Sequence, residues 1–451
     1  MSRRVDLLEG NISGTLLKLS LPLIGSQMMN MAYNLIDTLW VGKLGTESVT
    51  ACATAGNWLF FSQGLAMVTQ VGVQILVAQR LGEGKLDKAR ATSRLAIVTM
   101  MITMVLFFAS VLLFRGQMVG VFGIKSEYIT QLTEEYLLIT GFGVIFMGFN
   151  YVLTGIYTAT GDSRTPFIYN SIGIVINIIL DPVLIFGWIG APAFGVVGAG
   201  IATTISQIIV CVIFIYHIAK DKYIFGRIED SDVRVYDLGN AARMLKLGFP
   251  PAMQIIIFTV VYMGLGRIMT AFGDVIIGVQ RVGSQIESLC FNSAAGFQSA
   301  MNAYTAQNYG NGNEDRIRRG YSVGLRYMIG LGAFASVLFF FFANPIYGLF
   351  LKDEFAIAEG TNYLRIMVTS QIFICLEAVA AGAFGGIGKT HIPSAFSIIG
   401  SLLRIPLALV LVSVTGSVSG VWWAISLSSI MKGSIIAVLF RRQLRKGVFS
   451  K

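Results

Sequence analysis

Ala78-Gln79-Arg80-Leu81-Gly82-Glu83-Gly84 returns, 228 residues later, as Ala306-Gln307-Asn308-Tyr309-Gly310-Asn311-Gly312. The same interval carries Lys18-Leu19 onto Lys246-Leu247, Pro22 onto Pro250 and Gly45 onto Gly273. An interval of 227 then carries Gly155 onto Gly382, Gly161 onto Gly388, Pro166 onto Pro393 and Gly173 onto Gly400. A self-match at a near-constant offset over most of a chain is the signature of a duplicated structural unit.

What is duplicated follows from the stretches between these landmarks. They hold about twelve apolar runs long enough to cross a bilayer, near 15–40, 48–78, 92–114, 130–158, 166–187, 195–219, 246–268, 276–305, 321–344, 360–386, 393–414 and 418–440. The runs are continuous instead of alternating, which excludes barrel strands. Of the 451 residues 55% are hydrophobic and only 13% charged, too little polar material to coat a soluble domain, and 12% aromatics with no heptad or collagen period exclude disordered and fibrous classes. Six runs per half is an even number, so both halves enter the membrane the same way, related by an axis along its normal with a cavity between them. The expected fold is an all-α polytopic membrane protein, twelve transmembrane helices in two pseudo-symmetric six-helix lobes. Lobe 1–219 and lobe 243–451 are joined by the polar linker 220–242.

Cations set the orientation. Arg3 and Arg4, the 80–94 connection (Arg80, Lys85, Lys88, Arg90, Arg94), the central linker, the 316–326 connection and the tail from Arg441 to Lys451 hold most of them, against mainly Lys43, Arg115, Lys125 and Lys352 on the other side. The positive-inside rule places both termini in the cytoplasm. The net charge of +10 reads as a cytoplasmic rim facing anionic lipid, not as a nucleic-acid surface. The first apolar run is long enough to be a retained span instead of a cleaved leader. Cys52, Cys211, Cys290 and Cys375 lack C-x-x-C spacing and read as small apolar packers, and the 50 glycines as close helix packing.

The informative residues are polar ones that break the repeat inside the spans. Asp37 aligns with Leu265, Asp181 with Ala408, Asn177 with Arg404 and Asn150 with Glu377. A carboxylate at mid-membrane costs about 2.5–3.5 kcal/mol and normally faces a cavity or a partner. Asp37 follows Asn34 by three and Asn30 by seven, and Asp181 follows Asn177 by four, so each set shares a helical face. With Thr203 they would make an oxygen-rich pocket inside one lobe. Protons suit it because two carboxylates in low dielectric do not both ionise easily, and sodium suits it because the ligands are hard oxygens. The blander reading is that each acid satisfies a neighbouring helix. Glu377 and Arg404 are either an interhelical ion pair or a wall of the substrate cavity, and Arg281 and Glu287 read as structural. Asn30, Asn34, Asn150, Thr154 and Gln254 are further polar candidates for that cavity. Met31 and Tyr33 read as packing, or as the flexible and aromatic lining of a promiscuous cavity for large cations. His217 and His391 sit near cytoplasmic ends as bystanders. No metallohydrolase, serine-hydrolase or Walker motif occurs, so the chain is read as a non-enzyme without cofactor, driven by an ion gradient or by a downhill substrate.

These motifs resemble those of the multidrug and toxic compound extrusion (MATE) family. Asn34-Leu35-Ile36-Asp37-Thr38-Leu39-Trp40-Val41-Gly42 is similar to its first-helix signature, and residues 78–84 to its second-helix end. Gly161-Asp162-Ser163-Arg164-Thr165-Pro166, Asn177 to Pro182 and Gly198 to Thr203 are similar to later motifs, so the likeness runs over essentially the whole chain. It implies a proton- or sodium-coupled antiporter in a prokaryotic cytoplasmic membrane that exports bulky, often cationic organic compounds. It also implies cation-site roles for Asp37, Asn177, Asp181 and Thr203 and a bending role for Pro22. The seventh span departs from some sodium-coupled members in carrying no acid. The alternative is a lipid-linked precursor flippase; a passive channel sits poorly with buried acids inside one lobe. The expected partners are small organic substrates and membrane lipid, with the chain monomeric.

Overall fold

The computed structural model describes residues 4–230 and 232–449. Among them the secondary structure is helical: α1 (Ile12–Gly42), α2 (Thr46–Gly82), α3 (Leu86–Gly120), α4 (Glu127–Ala159), α5 (Arg164–Phe186), α6 (Gly195–Lys220), α7 (Leu238–Met269), α8 (Asp274–Gly310), α9 (Glu314–Phe350), α10 (Glu354–Gly386), α11 (His391–Leu402), α12 (Arg404–Thr415) and α13 (Ser419–Lys446). The last pair before α13, α11 and α12, run end to end as one 25-residue span. Ten spans among the described residues are long and apolar enough to cross a membrane. The other two, α1 and α8, have the length, but Gln27, Asn30, Asn34 and Asp37 in α1 and Gln280, Arg281, Gln285 and Glu287 in α8 dilute their apolarity.

The chain divides into two compact units. One comprises Met1–Val5 and Gly25–Phe249, the other Asp6–Ile24 and Pro250–Lys451. Relative to lobes 1–219 and 243–451, the first part of α1 joins the second unit and the first part of α7 joins the first. Packing gives the reason. In the first unit Gly248 of α7 lies so close to α2 that a Cβ there would meet the Val68 carbonyl at 1.7 Å; in the second, a Cβ on Gly296 of α8 would meet the Ile24 nitrogen at 2.7 Å. Small residues let the backbones meet. Both exchanges fall beside a proline that removes a helical N–H, Pro22 in α1 and the Pro250-Pro251 pair in α7.

Within each unit the same packing recurs. In the first, α4 packs on α2, α3 and α6, and α5 on α6; in the second, α10 packs on α8, α9 and α13, and α12 on α13. The motif that betrayed the repeat is a helix-ending turn. Gly84 and Gly312 both have φ of +73°, the left-handed conformation that glycine adopts freely. The N–H of Lys85 donates to the Arg80 carbonyl at 2.9 Å, and that of Asn313 to the Asn308 carbonyl at 2.9 Å. The next polar segment is held down as well: Arg90 donates to the carbonyls of Tyr223 (2.8 Å) and Arg227 (2.7 Å), and Asp87 accepts from the N–H of Glu229 and Asp230.

The second conserved device of the repeat is a crossing of two helices. A Cβ on Gly155 would sit 2.8 Å from the Gln70 carbonyl oxygen, and one on Gly382 would sit 2.5 Å from that of Gln298. Gly382→Ala should therefore push α10 off α8 and cost about 1–3 kcal/mol. Thermal unfolding of the purified protein reads this, with Gly330→Ala, which has open space around it, as the unaffected control. Packing also brings two of the cysteines together: all four are free, but the Cys290 and Cys375 sulfurs lie 3.7 Å apart in the second unit, a proximity that sequence spacing does not reveal.

Candidate functional site

In the first unit, α5 and α6 meet closely where Gly198 faces the Leu184 carbonyl; a Cβ there would lie 2.3 Å from that oxygen. This contact brings the Asn177–Asp181 face of α5 against Thr203 of α6. Asp181 is fully buried and Asn177 nearly so. A carboxylate offers no proton, so the Asn177 amide nitrogen faces it and donates to Asp181 Oδ2 at 3.0 Å. The Asn177 oxygen accepts from the Thr203 N–H at 3.0 Å. The Tyr33 hydroxyl of α1 lies 3.3 Å from Thr203 Oγ1. Asp37, one turn further along α1, is close enough to Asp181 for the two charges to act on each other. Its Oδ1 is buried with no hydrogen-bond partner.

The structure thus gathers Asp37, Asn177, Asp181, Thr203 and Tyr33 into one oxygen-rich cluster. Asn30 and Asn34, expected on the same face, have exposed side chains, and Met31 is half-buried. Tyr136 of α4 lies within electrostatic range of both carboxylates, a neighbour the sequence reading missed because a tyrosine in an apolar run carries no signal beyond packing. Among the described residues no lysine or arginine pairs with Asp37 or Asp181. Buried carboxylates without a counter-ion cost several kcal/mol each unless protonated or ligating a cation. The donor set, two carboxylates with an amide and hydroxyls, suits a proton or a hard monovalent cation. An aromatic cluster stands at the end of α1: the Trp40 ring lies 6.0 Å from Phe186 and 5.9 Å from Trp188, with the Lys43 ammonium 4.3 Å above it.

Asn150 and Thr154 are placed differently from the cluster. Asn150 Nδ2 donates to Gln207 Oε1 at 2.9 Å, and Asn170 Nδ2 donates to Thr154 Oγ1 at 3.3 Å, a polar seam among α4, α5 and α6. These bonds join helices.

The second unit departs from expectation. Glu377 does not pair with Arg404. Its Oε2 accepts from Lys432 Nζ at 3.0 Å and its Oε1 from Ser397 at 2.5 Å. Arg404, buried, donates to Ser428 (2.8 Å) and Ser429 (3.0 Å) and lies 5.2 Å over the Phe258 ring. Lys432 escaped the sequence reading because it sits in the last apolar run, near the cationic tail; its place inside that run was the signal. Glu287 accepts from the Tyr363 hydroxyl at 2.9 Å and from Gln371 at 3.1 Å, and Gln254 is half-buried on α7. In this unit Glu377 has a basic partner, whereas among the described residues Asp37 and Asp181 of the first unit have none.

The family model MatE matches residues 22–183 and again 250–410, the two copies of the repeat. The chain is 24% identical over 435 residues to the probable multidrug resistance protein NorM of Thermotoga maritima, covering 95% of this chain and 90% of that protein. It is 23% identical over 453 residues to a protein of Shewanella oneidensis named FAD transporter, covering 98% and 97%. A crystal structure of MATE in complex with MaD3S superposes with a TM-score of 0.92 over 99% of both chains at 21% identity.

Proposed function

We propose, from the premise that this chain belongs to the MatE family of multi-pass membrane transporters, that it is a secondary active antiporter. It exports bulky, often cationic organic compounds in exchange for protons or sodium ions by alternating access. One observation carries this reading: fully buried Asp181 and half-buried Asp37 share a cluster with no base among the described residues, and Asp37 presents a buried, unpartnered oxygen. Such a group is stable only when it takes up a positive charge, so the cluster exchanges a cation each time it opens to water. Asn177 and Thr203 hold Asp181 in place, and Tyr33 links α1 to Thr203. Neutralising the acids lets α1 repack beside Pro22 and weakens substrate binding; by reciprocity, substrate weakens ion binding equally.

The two six-helix lobes, with their first segments exchanged, are the bodies that move, and both termini lie in the cytoplasm of a prokaryotic cell. The protein works as a monomer surrounded by lipid. The test is efflux of a fluorescent organic cation from proteoliposomes, with pH and sodium gradients imposed separately and an anionic flavin run beside the dye. One gradient should drive substrate uphill. Dye movement indifferent to both gradients contradicts the proposal; no dye movement, together with translocation of lipid-linked precursors, would favour a flippase instead.

A further inference from the structure

The start of α9 holds a second concentration of charge, remote in sequence from the Asp37–Asp181 cluster. Arg316, Arg318, Arg319 and Arg326 and the segment Gly10–Ser13, all of the second unit, line a cavity of about 590 Å³ whose walls carry four guanidiniums and no carboxylate. Two of the four have structural employment. Arg316 donates to the carbonyls of Leu7 (3.3 Å), Glu9 (3.0 Å) and Gly10 (3.1 Å), and so fastens the segment preceding α1. Arg318 donates to the Leu444 carbonyl at 3.0 Å and lies 3.6 Å from Glu314.

Arg319 and Arg326 are exposed and have neither hydrogen bond nor ion pair among the described residues. Seven positions apart, they share one face of the helix. The duplicated scaffold does not require them: 228 residues earlier, α3 carries Ala91 and Val98 at the matching positions. Beyond Arg326 the same side of α9 continues as exposed Val337, Phe340 and Phe341. Val337 lies eleven residues on, about 16 Å along the axis, well within the reach of an acyl chain. A cationic cavity at one end of an exposed apolar stripe matches a molecule with a charged head and a hydrocarbon body.

The geometry points to a binding site for the phosphodiester headgroup of an anionic phospholipid, held by Arg319 and Arg326 with its acyl chains along α9. Guanidinium groups bind phosphate oxygens two at a time, and basic pockets on the cytoplasmic side of membrane proteins suit anionic headgroups. A soluble anion would use the arginines and ignore the apolar stripe, so the lipid is the occupant favoured.

The test is titration of the full-length protein, in phosphatidylcholine nanodiscs at low salt, with phosphatidylglycerol, reading bound lipid by native mass spectrometry. Phosphatidylglycerol should bind in preference to phosphatidylcholine, and the Arg319→Ala/Arg326→Ala double variant should weaken it roughly 30-fold. The Arg319→Lys/Arg326→Lys pair should recover much of the loss, and inorganic phosphate should not displace the lipid. Unchanged lipid affinity in the alanine pair, or displacement by inorganic phosphate, overturns the proposal. Both side chains are exposed, so lipid-free melting should match that of the unsubstituted protein; if it falls, Arg319→Gln/Arg326→Gln carries the same test.

Discussion

Asp181→Asn should abolish gradient-driven efflux in proteoliposomes, to the level of protein-free vesicles, while leaving the fold in place. The substitution is nearly isosteric. Asp181 is fully buried and accepts from the Asn177 amide, and the new side chain retains a carbonyl oxygen for that bond. What it loses is the charge. An amide neither takes up a proton nor neutralises a cation, so the step that couples one gradient to the other is missing. Asp37→Asn should give the same phenotype for the same reason. Asn30→Ala, whose side chain is exposed, leaves both carboxylates in place and should keep the coupling to the gradient. Persistence of uphill efflux in Asp181→Asn, with protein levels and melting unchanged, would remove the cluster from the coupling path.

The second large effect concerns stability. Lys432 and Glu377 form an ion pair at 3.0 Å with side chains only 10% and 11% exposed. Glu377→Gln strands the ammonium in a low-dielectric interior and should cost about 3–5 kcal/mol. Lys432→Met alone strands the carboxylate, which keeps only Ser397, and should cost a similar amount. The double variant Glu377→Gln/Lys432→Met removes both charges and should recover most of the loss, because a buried pair replaced together is often neutral. Chemical denaturation of the four proteins closes the cycle and gives the coupling energy. Near-normal transport in the double variant would mark the pair as structural. If transport were lost while stability was restored, Glu377 would return to the substrate path.

The sequence was most legible where geometry permits one residue. Gly84 and Gly312 end helices in a left-handed turn, and Gly155 and Gly382 let two backbones touch, so both pairs survive in the two halves and expose the duplication. The pairing of Asn177 with Asp181 was equally visible, since a spacing of four on one helix puts two side chains together whatever surrounds them. Contacts between helices were not legible in the same way. Asn30 and Asp37 are seven apart and so at nearly the same angle on α1, but one is exposed and the other has a buried oxygen. Periodicity gives direction around a helix, not what stands opposite at a given height. Lys432 and Glu377 are 55 positions apart, and nothing in spacing distinguished Lys432 from Arg404 as the partner of Glu377. The exchange of residues 6–24 between units was hidden for the same reason.

The most direct test of ion–substrate exchange at the Asp37–Asp181 cluster is the reverse flux. Proteoliposomes loaded with a fluorescent organic cation, with no pH or sodium gradient at the start, are diluted into substrate-free buffer while internal pH and internal sodium are followed. Coupling through the cluster predicts that outward substrate flow drives protons or sodium inward, and that Asp181→Asn abolishes this counterflow. Substrate leaving without any opposing ion movement, or counterflow that survives Asp181→Asn, would contradict it.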